Sequence, residues 1–415
     1  MHFDVVVVGA GAAGILAATR AAERGRKVLL LEKNRRPGVK ILMSGGTRCN
    51  LTHATDSRGI ADAFASTEQG HFLRSPLAAF PPDDLVAWVE AEGVPTKVEP
   101  GGKIFPVSDR ATDVLAALLR RLQRSGCALA LDEALVRLEP IERGIRLTTP
   151  ARTFDAASVI ITTGGRSYPR SGTSGDGYAW MEALGHTVVA TRPALTPLVA
   201  RAAWIRELSG VSADDVELRI VEHGDDGQGR SCLAQRRESL LFTHFGLSGP
   251  AALDVSGAVS AHPRPLELCA VCDFAPDLSE EAVDEALRQQ CAEHGARSVS
   301  TLPAMWIARR LGEAMIAHLG IDPDQRCADF ARTDRRRLAA ALKRLEIPLE
   351  GTRGFAKAEV TAGGVALGEI DSRTMRSKLV PGLFIAGEIL DVDGPIGGYN
   401  FQAAFSTGFV AGENA

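Results

Sequence analysis

Residues 5–32 read VVVVGAGAAGILAATRAAERGRKVLLLE, and this stretch decides the fold of the first part of the chain. Val5 to Val8 is a continuous β-branched run, which is typical of a strand buried on both faces of a parallel sheet. Residues 12–24 have a helix-forming composition, and Gly25 is expected to end that helix. Val28 to Leu31 is expected to form a second strand. The pattern therefore predicts a strand–turn–helix–strand unit.

The turn of this unit has the spacing G-x-G-x-x-G, formed by Gly9, Gly11 and Gly14. The first glycine permits a tight turn, the second lets backbone approach a pyrophosphate, and the third lets helix and strand pack closely. The helix start offers free N–H groups and a positive dipole end to the phosphates. Glu32 ends the second strand, where a carboxylate accepts hydrogen bonds from both hydroxyls of an unphosphorylated ribose. The unit therefore predicts FAD or NAD as a ligand, and not NADP.

The other end of the chain carries a second glycine-rich motif. Residues 383–408 read LFIAGEILDVDGPIGGYNFQAAFSTG, which predicts a strand, a loop and the start of a helix. The dipole of a helix that starts at residues 397–400 would face the pyrimidine edge of a flavin, where negative charge develops on reduction. Together, the two ends favour FAD over NAD, and they predict one domain closed by both ends of the chain.

Composition places the chain among globular proteins. It has 415 residues, 45% of them hydrophobic and 24% charged, so we expect two or three domains. The net charge of −4 gives no general attraction to nucleic acid, and we predict no nucleic-acid partner. No apolar run approaches the ~18 residues of a membrane span, and the N-terminus lacks a basic segment before its apolar run. We therefore predict a cytoplasmic protein with no membrane partner; the oligomeric state stays open.

The cysteines give no metal or disulfide signal. Seven in 415 residues are too few for a disulfide framework. Cys269 and Cys272 form a C-x-x-C, but the surrounding LELCAVCDF alternates like a strand, on which positions three apart face opposite sides. No second pair follows at zinc spacing. We therefore predict structural thiols and no metal site.

The pattern along the chain predicts an insertion. Before residue 190 we expect helices at 82–92 and 112–125, a hairpin or turn at 101–106, and strands at 129–138, 145–149 and 158–165, the last of which runs into glycines. Residues 195–273 are strand-like with many turns, which favours a small antiparallel barrel or sandwich. Helical patterns follow at 279–295, 302–319 and 333–345, and a strand pattern returns at 357–365. The predicted domains are a Rossmann-like FAD-binding α/β domain of residues 1–190 and 356–415, an inserted β-barrel-like substrate domain of 191–278 and 346–355, and an inserted helical subdomain of 279–345.

Several further motifs match one family over nearly the whole chain. They are SGGTRCN at 44–50, LFTHFGLSGP at 241–250, VTAGGV at 360–365, and AGEILDVDG at 386–394 followed by GGYN at 397–400. Together they resemble the BaiN-like flavoproteins, known as NAD(P)/FAD-dependent oxidoreductases and as aminoacetone-oxidase-like enzymes. The resemblance implies an FAD-binding domain of the two-dinucleotide-binding flavoprotein type, with an inserted β-barrel and an inserted helical subdomain. One departure is Thr47, since the family usually has a third glycine there; if that position needs a positive φ, threonine is costly.

These motifs define the expected cofactor site. Residues at both ends of the chain are expected to bind the ADP half, the pyrophosphate and the flavin half of a non-covalent FAD. They are Gly9, Gly11, Ala13, Gly14, Glu32, Lys33, Lys40, Ser44, Gly45, Gly46, Arg48, Cys49, Asn50, Val136, Thr163, Gly164, Gly165, Gly387, Glu388, Asp391, Gly397, Gly398, Tyr399 and Asn400. Val136 is included because it falls in the predicted meander strand, where backbone often meets adenine.

The catalytic group is less defined by the sequence. His244, in the insert, could be a general base or substrate ligand, or a structural histidine at a barrel turn. Tyr168 and Arg166 follow the Thr163–Gly165 loop and could face substrate. Arg48 could pair with a phosphate or a substrate acid, or form a structural salt bridge. No group among them is singled out.

We predict an FAD-dependent oxidoreductase that transfers hydride to or from a small or medium organic substrate. An oxygen-using amine oxidase and a non-redox flavin-binding protein are the alternatives. Only Cys49 lies near the position of the Cys-x-x-x-x-Cys of flavin disulfide reductases, so that activity is not expected. No second glycine fingerprint exists, since the glycines at 224–229 lie in a polar segment with no helix after it. Any NAD(P)H would therefore dock transiently in the substrate cleft.

Overall fold

The computed structural model describes residues 2–64, 67–222 and 231–415. The chain divides into two compact units, Met1–Pro193 with Glu359–Ala415, and Ala194–Ala358. The glycines at 224–229 lie outside the described residues. None of the helices in the described ranges is both long and apolar enough to cross a bilayer.

The first segment of the chain, up to residue 194, contains most of the helices and strands of the first unit. In chain order they are β1 (His2–Val8), α1 (Ala12–Glu23), β2 (Val28–Leu31), α2 (Val39–Thr47), β3 (Thr52–His53), α3 (Ser57–Asp62), α4 (Thr67–Ala79), α5 (Pro82–Glu90), β4 (Thr96–Val98), β5 (Lys103–Pro106), α6 (Ala111–Arg124), β6 (Ala128–Ala130), β7 (Arg137–Ile141), β8 (Gly144–Thr148), β9 (Thr153–Ile161), α7 (Asp176–Ala183) and β10 (Val188–Ala194). The second unit contains β11 (Leu198–Ala200), α8 (Ala203–Glu207), β12 (Ser212–Glu222), β13 (Cys232–Thr243), β14 (Gly246–Ser248), α9 (Gly249–Ala261), β15 (Leu268–Asp273), α10 (Glu280–Glu293), α11 (Arg309–His318), α12 (Arg332–Lys343) and β16 (Leu345–Thr352). The last segment contains β17 (Val360–Val365), β18 (Ile370–Asp371), β19 (Arg376–Ser377), β20 (Leu383–Ile385) and α13 (Tyr399–Asn414). Short 3-10 turns lie at Pro169–Ser171, Pro265–Glu267, Val299–Met305, Cys327–Asp329 and Leu367–Glu369.

The main sheet of the first unit joins both ends of the chain. Its strand order is β18-β19-β20-β9-β1-β2-β6, and the pairs β20–β9, β9–β1, β1–β2 and β2–β6 are parallel. Val5 pairs with Val28 on one side and with Ser158 on the other. Since parallel neighbours share one direction, the carboxyl ends of β1, β2, β9 and β20 meet at one edge, where ligands bind in open α/β sheets.

The two terminal helices pack closely on each other. A Cβ at Gly408 of α13 would lie 2.3 Å from the carbonyl oxygen of Ala13, and one at Gly412 would lie 2.3 Å from that of Ala17. Small residues four apart on both helices therefore let the backbones of α1 and α13 come together. The buried strands and these helices belong to one hydrophobic core, which confirms a Rossmann-like domain built from both chain ends.

The second unit is a closed antiparallel barrel with helices. Strands β11, β14, β13, β12, β15 and β16 follow one another around the barrel. Its core includes Leu218, Phe242 and Ile347, all fully buried, and helix residues such as Leu311 and Leu338 pack into the same cluster. Between barrel and sandwich, the alternatives for this segment, the structure therefore gives the barrel.

Cys269 and Cys272 lie on β15, as the alternating pattern predicts, and face opposite sides. Cys272 belongs to the main core of the unit, whereas Cys269 packs with Val221 and Val271. All seven cysteines of the chain are free thiols.

Some local predictions are wrong, for identifiable reasons. Residues 129–138 do not form one strand: β6 ends at Ala130, and β7 begins at Arg137. The pattern at 302–319 is divided, because Pro303 lies in a 3-10 turn before α11 begins. Helix α9 falls in a segment predicted to be strands and turns; its buried residues are mostly small, so its sequence shows little amphipathic contrast. Helix α2 lies in a segment predicted to be a loop, although the loop geometry returns within it at Ser44 to Gly46.

Candidate cofactor site

The glycine turn after β1 has the geometry that its spacing predicts. Gly9 has φ +103°, and a Cβ there would lie 2.6 Å from the carbonyl oxygen of Thr162. A Cβ at Gly14 would lie 1.8 Å from the carbonyl oxygen of Gly9. Around Gly11, by contrast, a Cβ would meet no described atom within 4 Å. The first and third glycines are therefore required by the protein itself, and the second borders open space at the start of α1.

Glu32 is held at the end of β2 by backbone hydrogen bonds. Its side chain is buried, with Oε2 accepting from the Ala10 N–H (2.9 Å) and Oε1 from the Asn34 N–H (2.9 Å). A carboxylate has about four acceptor positions, so both oxygens can still accept a ribose hydroxyl. The neighbouring Lys33 instead donates to Ser174 Oγ (2.6 Å) and forms an ion pair with Asp176 (2.5 Å).

The last residues of α2 and the segment that follows it contain an unusual series of left-handed residues. Gly45, Gly46, Thr47 and Cys49 have φ of +55°, +66°, +72° and +63°. For a β-branched residue this region is a true outlier, so Thr47 is strained at the position where the resembling family has glycine. Cys49 is completely buried, and burial raises the pKa of its thiol to about 12, so it is not a reactive thiolate.

Arg48 lies in a surface ion-pair cluster. Its guanidinium pairs with Glu99 and with Asp109 (2.7 Å), and it stacks over the Phe105 ring at 4.1 Å. Hydrogen bonds from Arg48 and Lys97 lower the pKa of the Glu99 and Asp109 carboxyls. Of the three partners considered for Arg48, a phosphate, a substrate acid and a structural salt bridge, the geometry shows the salt bridge.

Two predicted cofactor residues, Lys40 and Glu388, form an ion pair with each other. The Lys40 ammonium also donates to Ser167 Oγ (2.6 Å), and Ser167 Oγ donates to Glu388 Oε1 (2.7 Å). Glu388 Oε1 further accepts from the Thr361 N–H (3.0 Å). This network ties α2, the loop after β9, β17 and the loop after β20 together at the carboxyl edge of the sheet.

Two buried hydroxyls, one in the loop after β9 and one on α7, have no hydrogen-bond partner among the described residues. Thr163 Oγ1 and the Tyr178 hydroxyl are both inaccessible and unpaired within the described ranges. Burial and the charge of Glu388 raise the pKa of Tyr178, so its phenol stays protonated. Gly164 has φ +72°, and a Cβ at Gly165 would lie 2.4 Å from Thr361 Oγ1. The loop is thus close-packed on one side and has unused hydrogen-bonding capacity.

Helix α13 begins at a pair of left-handed glycines. Gly397 and Gly398 have φ of +131° and +96°, and a Cβ at Gly398 would lie 2.6 Å from the carbonyl carbon of Thr52. The hydrogen-bonding environment orients the Asn50 amide so that its oxygen accepts from the Gly398 N–H (3.1 Å). Asn400 closes the preceding loop by accepting from the Gly394 N–H (2.8 Å). The start of the helix is therefore fixed from both sides.

Two further predicted residues are held by the backbone around this loop. Gly387, with φ +80°, donates its N–H to Thr407 Oγ1 at 3.0 Å. The Asp391 N–H donates to the carbonyl of Val365 at 3.0 Å. Burial and the nearby charge of Asp393 raise the pKa of the Asp391 carboxyl.

The remaining candidates lie apart from this edge or in other settings. Val136 is not in a strand: it precedes β7 and is 59% exposed, so the meander interpretation misplaces it by one residue. His244 is an exposed residue at the turn between β13 and β14 of the second unit. Tyr168 has φ +49° and caps the turn Pro169–Ser171, and burial raises the pKa of its phenol. Arg166 donates its N–H to Thr361 Oγ1 (2.8 Å).

Several residues of the site escaped the sequence analysis. Thr52 and His53 form β3 beside the start of α13, and Ser167 and Thr361 complete the Lys40–Glu388 network. None of them belongs to the dinucleotide fingerprint; Thr361 lies inside the VTAGGV motif at 360–365, and the other three lie next to recognised motifs. Their role depends on contacts between distant segments.

The arrangement fits FAD. Gly11 borders open space, Glu32 keeps acceptor capacity, and Thr163 supplies an unsatisfied hydroxyl at the carboxyl end of β9. Residues 9–14 and 32 would hold the ADP half, and the loops after β9 and β20 with the start of α13 would hold the flavin half. Within the described ranges, no group of three or more His, Cys, Asp or Glu side chains is arranged to hold a metal ion.

Comparison with known proteins places this architecture in a family. A model described as the HI0933-like protein Rossmann domain matches residues 3–414. The chain is 34% identical over 413 residues to the ribosomal RNA dihydrouridine synthase of Escherichia coli K12, covering 100% of this chain and 98% of that protein. It is 30% identical to the protein of the same name from Haemophilus influenzae, covering 98% and 97% of the two chains.

Other similarities extend over the same length. The chain is 29% identical to the 3-dehydro-bile acid delta(4,6)-reductase of Clostridium scindens, covering 99% of this chain and 98% of that protein. Among solved structures, the 3-ketosteroid delta1-dehydrogenase of Sterolibacterium denitrificans matches with a TM-score of 0.52 at 16% identity, covering 99% and 98% of the two chains. At that identity the structural likeness concerns the fold alone.

Proposed function

The chain belongs to the HI0933-like Rossmann-domain family of FAD-dependent oxidoreductases, and from this we propose that it reduces a carbon–carbon double bond conjugated to a carbonyl group. The observation that carries the proposal is the set of names given to relatives similar over their whole length: dihydrouridine synthase and delta(4,6)-reductase. Each name describes saturation of a carbon–carbon double bond. The chemistry is therefore shared, although the substrates named are different.

Our first candidate substrate is a uracil base in ribosomal RNA. Two relatives at 34% and 30% identity carry that activity in their names. The C5–C6 double bond of uracil is conjugated to the C4 carbonyl, so it can accept a hydride and then a proton. This candidate conflicts with the prediction of no nucleic-acid partner, which rested on the net charge of −4. That charge argues against a general attraction to phosphates and does not exclude recognition of one site.

A conjugated ketone of steroid type is the second candidate. It is favoured by the similarity of 29% to the 3-dehydro-bile acid reductase. The amine oxidase alternative has no comparable support, and the use of oxygen by this protein stays a prediction.

FAD, when bound, would supply hydride transfer between a nicotinamide donor and the substrate. The chain contributes binding and electrostatics. Glu32 would accept the ribose hydroxyls, and the space beside Gly11 would receive the pyrophosphate. The positive end of α13 would stabilise negative charge at the pyrimidine edge of the cofactor.

We assign to Tyr168 the role of the general acid that donates a proton to the substrate. It follows the loop after β9, its backbone is held at φ +49°, and burial raises the pKa of its phenol, so it is protonated at neutral pH. Strained residues of this kind cluster at functional sites. The donated proton would saturate the carbon beside the carbonyl after hydride has been added to the other carbon.

The test uses the purified protein with bound flavin under anaerobic conditions. NADH or NADPH should bleach the flavin, and an unmodified ribosomal RNA transcript should then restore its colour and gain dihydrouridine detectable by mass spectrometry. Restoration by a 4-ene-3-ketosteroid alone would favour the second candidate. The proposal would be overturned if neither substrate reoxidised the flavin, and if a primary amine bleached the flavin and peroxide was released in air.

The Tyr168→Phe variant tests the proton donor. We expect flavin reduction by the nicotinamide to proceed as in the wild type, whereas the turnover of the double-bond substrate falls at least tenfold, within the range for loss of one general acid. Unchanged turnover would remove Tyr168 from the mechanism and leave the reductase assignment in place.

A further inference from the structure

We propose that His53 is a positioning residue that holds the start of α13 against the reduced flavin. The inference rests on the proposed function, because it requires FAD with its flavin half at this helix. His53 lies on β3, outside every motif recognised in the sequence. Its contacts nevertheless converge on Gly397 and Tyr399, on either side of Gly398, where the last helix begins.

The imidazole contacts this turn in two ways. Nδ1 lies 3.2 Å from the carbonyl oxygen of Gly397, and since a carbonyl only accepts, Nδ1 must carry the proton and donate. The ring also stacks on Tyr399, with centroids 4.7 Å apart and planes 22° apart. A hydrogen bond and a ring contact therefore fix the residues on either side of Gly398.

The chain is shaped to admit this imidazole. Gly102, in the turn between β4 and β5, has φ +80°, and a Cβ there would lie 2.5 Å from His53 Nε2. A Cβ at Gly397 would lie 3.0 Å from the Tyr399 ring and 3.5 Å from His53 Nδ1. Two glycines thus leave room for the stacked pair.

A second observation points to a ligand beside this helix start. Thr52 is completely buried, its backbone lies against Gly398, and its hydroxyl has no hydrogen-bond partner in the described part of the chain. The Gln402 N–H donates to the Gly398 carbonyl (3.0 Å) and closes the first helical turn. The N–H groups of residues 400 and 401 precede that bond and have no acceptor within the helix.

The Gly397–Gly398 peptide is held from both sides, because His53 binds its carbonyl and the Asn50 amide oxygen accepts its N–H. This peptide leads directly into α13, so it sets the position of the first turn of the helix, whose positive end would act on charge at a bound flavin. FAD, when bound, would accept hydride from the nicotinamide, and negative charge would then develop at the pyrimidine edge of its flavin. Loosening the turn should therefore weaken binding of the reduced form more than binding of the oxidised form.

The midpoint potential of the bound flavin measures this difference. His53→Phe keeps the ring stack and loses the donor, and we expect the ratio of reduced-form to oxidised-form affinity to fall at least tenfold, about 30 mV for a two-electron couple. His53→Asn keeps a donor near the Nδ1 position and should stay within about threefold of the wild type. His71→Asn, at an exposed position on α4, is the matched control and should not change the potential.

An unchanged potential in a His53→Phe protein that binds FAD would overturn the inference. If that variant does not fold, His53→Gln is the second test, because its donor cannot reach the Nδ1 position; it should show the same loss, and a wild-type potential would again overturn the inference. Equal losses in the Phe and Asn variants would contradict the role of the hydrogen bond. Failure of the wild type to bind FAD would instead refute the proposed function, so the two failures are distinguishable.

Discussion

Gly408 in the last helix lies against the carbonyl oxygen of Ala13 in the first helix, so closely that a Cβ at Gly408 would be 2.3 Å from that oxygen. Ala13 stands between the second and third glycines of the dinucleotide turn. The contact therefore couples the packing of the C-terminus directly to the cofactor turn at the N-terminus.

Replacing this glycine should destabilise the protein and weaken FAD binding together. Gly408→Ala places a methyl group against backbone that cannot rotate away, and we expect a loss of about 1–3 kcal/mol in the free energy of unfolding. Chemical denaturation and flavin fluorescence measure the two effects. Gly257→Ala in α9 is the matched control: a Cβ there meets no described atom within 4 Å, so helix propensity should make it neutral or stabilising by up to ~1 kcal/mol.

Thr47→Gly should stabilise the protein. Thr47 has φ +72°, a conformation that costs an L-residue roughly 1–2 kcal/mol of folding stability. Glycine avoids this strain, but the greater conformational freedom of its unfolded chain lowers the folding stability by about 0.5–1 kcal/mol. The net gain expected in urea denaturation therefore lies between zero and about 1.5 kcal/mol. Thr112→Gly, in the first turn of α6, has no such strain to release and should be destabilising. A loss of stability in both variants would mean that Thr47 is stabilised by contacts that outweigh its backbone strain.

Glu32→Ala should weaken FAD binding by roughly 10- to 100-fold, since hydrogen bonds to a charged group contribute about 1.5–3 kcal/mol each. Titration of apoprotein with FAD, followed by fluorescence quenching, measures the affinity. Glu182→Ala, an exposed position on α7, serves as the control. If Glu32→Ala binds FAD as tightly as the wild type does, the Glu32 carboxylate has only a structural role, in which it accepts hydrogen bonds from the Ala10 and Asn34 N–H groups.

Arg48→Gln should change the acid stability and leave FAD affinity unchanged. Because Arg48 lowers the pKa of Glu99 and Asp109 in the folded chain, these carboxylates contribute stability above their ordinary pKa of about 4, and this stability is lost as the pH falls through the lowered values. The variant should therefore lose stability at pH 7 and differ little from the wild type at pH 2–3.

Unfolding curves of Arg48→Gln at both pH values, each with and without 1 M salt, give the comparison, since salt screens exposed pairs. A large fall in FAD affinity would contradict the structural role and favour a contact between Arg48 and the cofactor phosphates.

The parts of the site that could be predicted are those with local causes. Gly9 and Gly14 are required because a Cβ at either position would clash with a backbone carbonyl oxygen. The buried apolar runs of β1 and β2 predict strands of a parallel sheet. Helix α9 could not be recognised, because its own buried residues are mostly small and its sequence shows little contrast between a polar and an apolar face. The sequence predicts strain at Thr47 only if that position has a positive φ, and the φ value itself comes from the structure.

By itself, the sequence determined the glycine turn and the acid after β2, since both follow from periodicity and backbone requirements within short segments. It also predicted one domain closed by both chain ends, but the choice of a barrel over a sandwich came from the tertiary structure. Only the tertiary structure decided that Lys40 pairs with Glu388, that Arg48 joins Glu99 and Asp109, and that His53 contacts Gly397. Those partners are separated by up to 348 residues. Such pairings depend on where whole elements lie in space, and neither residue of a pair carries a local signal of the other.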